Sequence, residues 1–332
     1  MVQGKKFILQ NQFEGLPKAS DVKLIEEELP ALKNGEFLCE TVYLSVDPYQ
    51  RAHRMNIGDT ILGHQVAKII ESKSSRFPPG RHIVGYYGWK THHIYEESVV
   101  AAMALPPWLI PEDYNDIPLH YFLGVLGIPG ISAYFGLLKI AQPKYGETVV
   151  VTGAAGAVGS VVGQMAKIKG CRTIGVVGTD LKGEWITNDL GFDGYINYKK
   201  DNFAGALKEL APKGVDCYYD NVGGEISSQI IKQMNVYGRI SVCGAISGYN
   251  DVEDSKATSI QYYMVFRQLK MEGFLVPRFA KRFLEAIKDI AKWVREGRIK
   301  SRETVTKGFE NTFQAFVDML EGKNTGKAII EL

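Results

Sequence analysis

At 332 residues the chain has room for two domains or one large one, and 45% hydrophobic with 23% charged residues is ordinary for a globular protein. A formal net charge of +2 is too small to steer nucleic acid or an anionic membrane surface, and no apolar run approaches the ~18 residues of a membrane span. Cys39, Cys171, Cys217 and Cys243 share no paired spacing, so free thiols in a reducing, cytoplasmic setting are expected; Met1 to Phe13 is polar and lacks the apolar core of a secretory leader.

Residues 1 to about 122 read as β-rich, with candidate strands Lys6–Leu9, Glu36–Val46, Gln65–Glu71 and Arg81–Tyr86. Leu16-Pro17, Asn34-Gly35 and Pro78-Pro79-Gly80 punctuate them as turns. Short strands with frequent turns predict a twisted, barrel-like domain. Asp47-Pro48-Tyr49-Gln50-Arg51 closes a strand, either as plain turn chemistry or with Tyr49 and Arg51 lining a cleft. A zinc site needs three or four converging ligands. Cys39 is far in sequence from His64, no C-x-x-C pair exists, and the adjacent His92 and His93 point in different directions in strand or helix alike. No metal is therefore expected: His64 reads as a hydrogen-bonded loop or core residue, and His92 and His93 as surface or pocket-rim residues. The proline-rich stretch from Leu105 to Pro111 leads to a helix near Pro118–Tyr134, broken around Gly127, Pro129 and Gly130, which links the domains.

The middle of the chain changes period. Thr148 to Val151 is a β-branched apolar run, hence a buried strand. Small residues follow from Gly153 to Gly159; then Val161, Val162, Met165, Ala166 and Ile168 recur at helical spacing before a stop at Gly170. On the G-x-G-x-x-G spacing of a dinucleotide turn the positions are Ala154, Gly156 and Gly159, and the strand Arg172–Val177 completes a βαβ unit. A pyrophosphate suits the free N–H groups of the helix start. The second strand's tip is Gly178-Thr179, with Asp180 displaced and Lys182 close by. A hydroxyl and a lysine suit a ribose 2′-phosphate better than a 2′-hydroxyl, so NADP(H) is favoured over NAD(H).

Tyr198 ends the short strand after Gly194, where it either reaches that phosphate or caps the sheet edge. Val215 to Asp220 runs into Asn221-Val222-Gly223-Gly224, with an amide and two glycines on the ligand side of an open α/β sheet. A helix Glu225–Met234, a strand Arg239–Cys243, the turn Gly244-Ala245-Ile246-Ser247-Gly248-Tyr249 and a strand Lys270–Val276 follow. From Arg282 to Arg295, Phe283, Leu284, Ile287, Ile290, Ala291 and Val294 form one helical packing stripe. This alternation predicts a doubly wound parallel Rossmann sheet. The tail reads as Glu303 to Thr306, a helix Thr312–Leu320 and a last strand Lys327–Leu332 that returns to the first region's sheet. The expected organisation is α/β: a dinucleotide domain, 123–299, inserted into a β-rich domain of 1–122 plus 300–332. Asn324 lies in the turn before the last strand.

Several blocks in one order resemble the zinc-independent medium-chain dehydrogenase/reductases. They are Ser45 to Arg51, Gly63 to Lys68, Gly127 to Leu137, Ala154 to Gly163, Tyr219 to Gly224, Cys243 to Ser247 and Gly308 to Asn311, and the likeness covers essentially the whole chain. The resemblance implies that the β-rich domain is GroES-like. It implies NADPH-dependent reduction of a carbon–carbon double bond conjugated to a carbonyl, with oxo-eicosanoids and 2-alkenals as substrates, in a homodimer. It implies that Gly156, Ala157, Val158 and Gly159 serve the pyrophosphate, Thr179, Lys182 and Tyr198 the 2′-phosphate end, and Asn221 the cofactor. Cys243 to Tyr249 and Phe274, Leu275 and Val276 would lie along the nicotinamide half, with Asn324 meeting it from the tail. The enolate formed by hydride addition needs preset donors, for which Tyr49 and Tyr249 are the candidates. Two departures stand out: Phe266 where the family usually has tyrosine, with Tyr262 and Tyr263 one helical turn earlier, and Gln50 where it often has methionine. A quinone reductase, or an NADPH-binding protein whose catalysis has lapsed, are the alternatives.

Overall fold

The computed structural model describes residues 2–103, 105–250 and 259–332. Before Leu123 come β1 (Val2–Leu9), β2 (Val22–Leu29), β3 (Glu36–Ser45), β4 (His64–Ser72), β5 (His82–Tyr86), β6 (His92–Glu96) and β7 (Trp108–Leu109). Then β8 (Thr148–Thr152), β9 (Arg172–Val177), β10 (Gly194–Asn197), β11 (Val215–Asp220), β12 (Met234–Val242) and β13 (Lys270–Gly273) alternate with helices. β14 (Glu303–Lys307) and β15 (Lys327–Glu331) flank the helix Thr312–Leu320. The chain divides into two compact units: the part up to Leu123 with Glu303–Leu332, and Gly124–Arg302.

In the first unit one sheet runs β14-β15-β3-β4-β5-β7, with β6 also on β3, and β1 and β2 form a separate ribbon. β15 pairs antiparallel with β3, Ile330 opposite Leu44, so the last strand does return to the first region's sheet. Its core joins both ends of the chain: Trp89 is fully buried, edge-on to Phe7 at 5.7 Å and to Phe316 at 5.6 Å. β2 is absent from the sequence reading because Lys23, Glu26, Glu27 and Glu28 mask its alternation, yet it pairs with β1 along its whole length. His93 is not a surface residue: its side chain is buried, stacked 3.9 Å from the Tyr87 ring, on the strand partner of Cys39. His92, one residue away and on the opposite face, is half-buried.

In the second unit all six strands are parallel in the order β10-β9-β8-β11-β12-β13. Counted from β8 that is 3-2-1-4-5-6, the doubly wound order whose reversal between strands 1 and 4 marks the ligand crevice. β8 is buried along its length, as its β-branched run predicts. Three boundaries differ from the sequence reading. The helix after Gly223 is Gly224–Ile231, because Met234 already belongs to β12, which bends at Tyr237 with φ 63°. β13 stops at Gly273, since a 3-10 turn, Val276–Arg282, with Pro277 in its first turn takes over. The linking helix splits into a 3-10 turn, Leu119–Leu123, and a helix Ile128–Phe135 that accepts Pro129 at its start.

The nucleotide turn explains its own irregular fingerprint. Gly153 takes φ +60°, so the tight-turn glycine sits one residue ahead of Ala154, whose methyl packs in the space that Gly175 leaves. At Gly159 a Cβ would come 2.3 Å from the Gly153 carbonyl oxygen and 2.8 Å from Ala154 Cα, which fixes the start of the helix Gly159–Ile168 on β8. At Gly156 it would meet only the Gly153 oxygen, at 3.2 Å. Gly159→Ala is therefore expected to cost about 1–3 kcal/mol in urea unfolding, because backbone must shift to admit the methyl, whereas Gly156→Ala should leave the midpoint within about 0.5 kcal/mol of the parent.

Candidate functional site

The strand tips of the second unit converge on one buried carboxylate. Asp220, ending β11, accepts hydrogen bonds from the Val222 and Gly223 N–H groups at 2.9 and 2.8 Å, the Ser227 hydroxyl at 2.9 Å and the Thr152 hydroxyl at 3.3 Å. Its carbonyl accepts from the Cys243 and Gly244 N–H groups beyond β12. Asn221 donates through its side-chain amide to the Thr152 carbonyl at 2.7 Å and through its backbone to the Thr152 hydroxyl at 3.0 Å. The tips of β8, β11 and β12 are thus one hydrogen-bonded ridge at the switch point.

The turn after β12 is strapped onto that ridge. The Ser247 hydroxyl donates to the Val222 carbonyl at 2.6 Å, the Ile246 and Ser247 N–H groups bond the Asn221 and Val222 carbonyls, and the Tyr249 hydroxyl accepts from the Ala245 N–H at 3.3 Å. Gly223 and Gly224 have φ 73° and 64°, and a Cβ on Gly224 would reach 3.0 Å from the Ser247 hydroxyl. Gly244 leaves room for the Tyr249 hydroxyl, 3.1 Å from where its Cβ would be, and Gly248 ends the single 3-10 turn begun by Ile246. Burial pushes the Cys243 thiol up to about 11 against the lowering effect of a hydrogen bond with Tyr219. Phe274 follows β13 with its ring against Gly136, Leu275 is exposed, and Val276 opens the next 3-10 turn.

At the other end of the sheet, the Thr179 hydroxyl caps the helix Asp180–Asn188 by accepting from the Lys182 N–H at 3.3 Å. Asp180 is drawn away from the β9 tip by the Asn197 amide at 2.8 Å and Lys200 at 2.5 Å. A Cβ on Gly178 would stand 3.3 Å from the Tyr198 hydroxyl and 3.6 Å from Lys199 Cε. Burial first, and Lys199 second, hold the Lys182 amine below its usual range. A part-buried cation with a second cation beside it suits an anion carrying more than one charge. Ala157 and Val158 complete the turn into the helix at Gly159, where the Ser160 and Val162 N–H groups bond the Gly156 and Val158 carbonyls.

The first unit carries a polar cluster of its own. Lys327, fully buried, reaches Asp47 at 3.1 Å and the Val46 and Ala328 carbonyls at 2.6 and 2.7 Å. Asp47 also accepts from the Ser45 hydroxyl. Gln50 is fully buried with its amide in use: it accepts from the Asp47 N–H at 2.9 Å and donates to the Leu62 carbonyl at 2.8 Å, which accounts for a polar residue here. These contacts fix the one-turn helix Tyr49–Ala52 and bring the Tyr49 hydroxyl 3.1 Å from His64 Nδ1. Burial, then Asp47 and Tyr86, raise the Tyr49 hydroxyl well above its ordinary value; burial lowers His64 to about 4, with Asp47 and Lys327 pulling in opposite directions.

Asn324 closes its own turn, its amide donating to the Gly326 carbonyl at 2.9 Å. Phe266 lies exposed on the helix Gln261–Phe266 with the Tyr262 ring 4.5 Å away, while Tyr263 packs on the core. Among the described residues no three His, Cys, Asp or Glu side chains are placed to hold a metal ion. Sequence reasoning gave no role to Asp220, Lys199 or Lys327. Asp220 was findable: Asp followed by x-x-Gly is the pattern of a carboxylate that bonds the N–H groups two and three residues on. Lys327 carried no local signal, because its partner is 280 positions away in Asp47.

Two family models match: "N-terminal domain of oxidoreductase" over residues 5–103 and "Zinc-binding dehydrogenase" over residues 157–292. Prostaglandin reductase 1 of Bos taurus is 46% identical over 336 residues, covering 100% of both chains. The NADP(+)-dependent 2-alkenal reductase of Nicotiana tabacum is 34% identical, covering 99% of this chain and 97% of that one. Among solved structures, CurA from Vibrio vulnificus in complex with NADPH superposes with a TM-score of 0.91 at 34% identity, covering 98% of each chain.

The half-buried His64 and the buried His93 give the first unit a pH dependence. His64 has a folded pKa of about 4 against 6.5 unfolded, so the unfolded chain takes up a proton that the folded one refuses. Stability is complete above about pH 6.5 and falls toward pH 4, by up to about 3 kcal/mol for this group, with buried His93 acting in the same direction. Urea midpoints measured between pH 7 and 4.5 should drop accordingly, and less steeply in His64→Gln.

Proposed function

The chain belongs to the medium-chain dehydrogenase/reductase family, and from that membership we propose that it reduces the carbon–carbon double bond of α,β-unsaturated ketones and aldehydes with NADPH. The observation that carries the reading is the 3-2-1-4-5-6 parallel sheet with a glycine turn at its switch point and paired lysines at the tip of its second strand. Relatives named for prostaglandin, 2-alkenal and NADPH chemistry across the whole chain support the substrate class.

The residues fit a phosphorylated dinucleotide. Gly156 presents an open face where a side chain would meet one backbone oxygen only. We assign the pyrophosphate to Gly156, Ala157, Val158 and Gly159, and the 2′-phosphate to Thr179, Lys182 and Tyr198, with Lys199 added. With Asp180 tied to Asn197 and Lys200, a 2′-phosphate at the β9 tip meets two lysines. Asn221, Cys243 to Tyr249 and Phe274 to Val276 are assigned to the remainder, and Asn324 to the same cofactor from the tail.

NADPH, when bound, supplies the hydride that adds to the carbon β to the carbonyl. The protein's task is the negative charge that gathers on the carbonyl oxygen, which a preset donor stabilises by ~3–4 kcal/mol. Tyr49 and Tyr249 are the assigned donors. Tyr49 keeps its proton because burial and Asp47 disfavour the phenolate. The Tyr249 hydroxyl is fixed by accepting the Ala245 N–H, which leaves its own proton for donation. Water can protonate the α-carbon, so no group with a pKa near neutrality is required.

We further infer a homodimer that works in the cytoplasm. β13 ends the six-stranded sheet, an edge that a second copy can extend. The cysteines are free thiols, three of them buried, as in a reducing compartment.

NADPH absorbance should fall when the protein is mixed with a 2-alkenal or an acyclic enone, and faster than with a quinone of similar size; no consumption with any enone overturns the assignment. Lys182→Ala should weaken NADPH about ten- to hundredfold, the loss of one charge-assisted bond, and leave NADH use unchanged. Equal use of both cofactors by the unmodified protein would remove the phosphate-pocket argument.

A further inference from the structure

We propose that His64 is the positioning residue for Tyr49: its ring donates a hydrogen bond into the phenol oxygen, leaving the phenol's one proton free for the substrate's carbonyl oxygen. This rests on the enone-reductase reading above and adds to it a residue that acts only through another.

The geometry is built, not incidental. His64 opens β4, paired opposite Tyr86, and Tyr49 opens a one-turn helix anchored by the buried Gln50, which bonds Asp47 and Leu62. The Tyr49 hydroxyl and His64 Nδ1 stand 3.1 Å apart with the rings at 88°, and the Tyr86 ring leans on His64 at 4.8 Å. Facing the pair are Asp47 and Lys327, which are bonded to each other, the Tyr86 phenol, and His53 on the far side of Tyr49 at 5.7 Å. His64 is placed by the sheet, and Tyr49, four residues beyond β3, by the Gln50 hydrogen bonds to Asp47 and Leu62, so both sides of the contact are fixed.

Burial keeps the imidazole neutral at pH 7, so it has one ring N–H and two choices. With the proton on Nε2, Nδ1 accepts and the phenol spends its proton on the histidine; its oxygen can then only accept. With the proton on Nδ1, the histidine donates and the phenol proton faces outward. A donor to a developing oxyanion requires the second arrangement, and the hydrogen bond arriving at the phenol oxygen strengthens the one it gives. No proton leaves either residue.

The test is a double-mutant cycle on the full chain, with NADPH and an enone. His64→Leu should lower kcat ten- to hundredfold with KM for NADPH within threefold. His64→Gln, whose amide N–H can donate to the phenol, should keep at least a third of kcat. In the Tyr49→Phe background, His64→Leu should add less than a twofold loss, since the residue it acts through is gone. Additive losses, or a His64→Leu kcat within twofold of the parent, overturn the proposal. Nitrogen-15 shifts of His64 in the unmodified protein decide it without any turnover: the Nδ1–H form at pH 7 supports it and the Nε2–H form refutes it. Absence of enone turnover would instead fell the enzymatic reading while the tautomer still judges the pair.

Discussion

A single buried carboxylate holds the ligand side of the parallel sheet together. Parallel strands end in a row of turns that have no ladder to join them, so each tip needs another partner. Asp220 satisfies two N–H groups of its own turn and the hydroxyls of Ser227 and Thr152 with its side chain, and two N–H groups past β12 with its carbonyl. Taking a carboxylate out of water is costly, and only a full set of donors offsets it. The consequence is cooperative. Asn221, Ser247 and Tyr249 inherit their positions from turns that Asp220 ties down.

The first unit solves a similar problem with the opposite charge. Lys327 lies in the last strand and Asp47 at the end of β3, and their buried pair is completed by the Val46 and Ala328 carbonyls and the Ser45 hydroxyl. A buried ion pair need not add stability over an apolar one. Its value here is geometric, since it fixes the chain where Pro48 turns into the Tyr49 helix. The two tyrosines proposed as donors thus stand on turns pinned by buried charge: Tyr49 beside Asp47, and Tyr249 on the strap that ends at Val222.

The strands, helices and glycine turn of the middle region are legible in the sequence because their periods are local: four consecutive β-branched or apolar residues before Gly153, then a helical stripe to Ile168. Strand order is not local, and 3-2-1-4-5-6 emerges only from pairing. Gly156 and Gly159 stand where the spacing puts them, but spacing alone cannot show that the tight-turn glycine is Gly153, which takes positive φ, and not position 154. Charge misled twice. The acidic run in β2 hid a strand, and His93 looked exposed because histidine usually finds a polar partner, whereas both its ring nitrogens lack one among the described residues. Of the site, the residues assigned to ligands in the proposed reaction are visible as strand-tip glycines, hydroxyls and a lysine, except Lys199, which reaches the β9 tip from beyond β10. Asp220 and Lys327, which hold the turns, are not, because their work is done across 60 or more positions or through a turn.

The chemistry of the two clusters argues against proton transfer as the source of catalysis. Burial drives His64 down to about 4, Tyr86 up to about 12 and Cys243 up to about 11, each away from the range where a group both gains and loses a proton at neutral pH. A site built for general acid–base work tunes in the other direction, toward 7. What burial does supply is fixed neutral donors in a poorly solvated surrounding, and these bind a developing oxyanion more strongly than water does because they need no reorganisation as charge appears. Phe266 is compatible with that logic: it lies exposed beside Tyr262, while the phenols of Tyr49 and Tyr249 are each anchored by a second group. An enone is a substrate that asks for no more than this, since its double bond accepts hydride as soon as its oxygen can hold the charge.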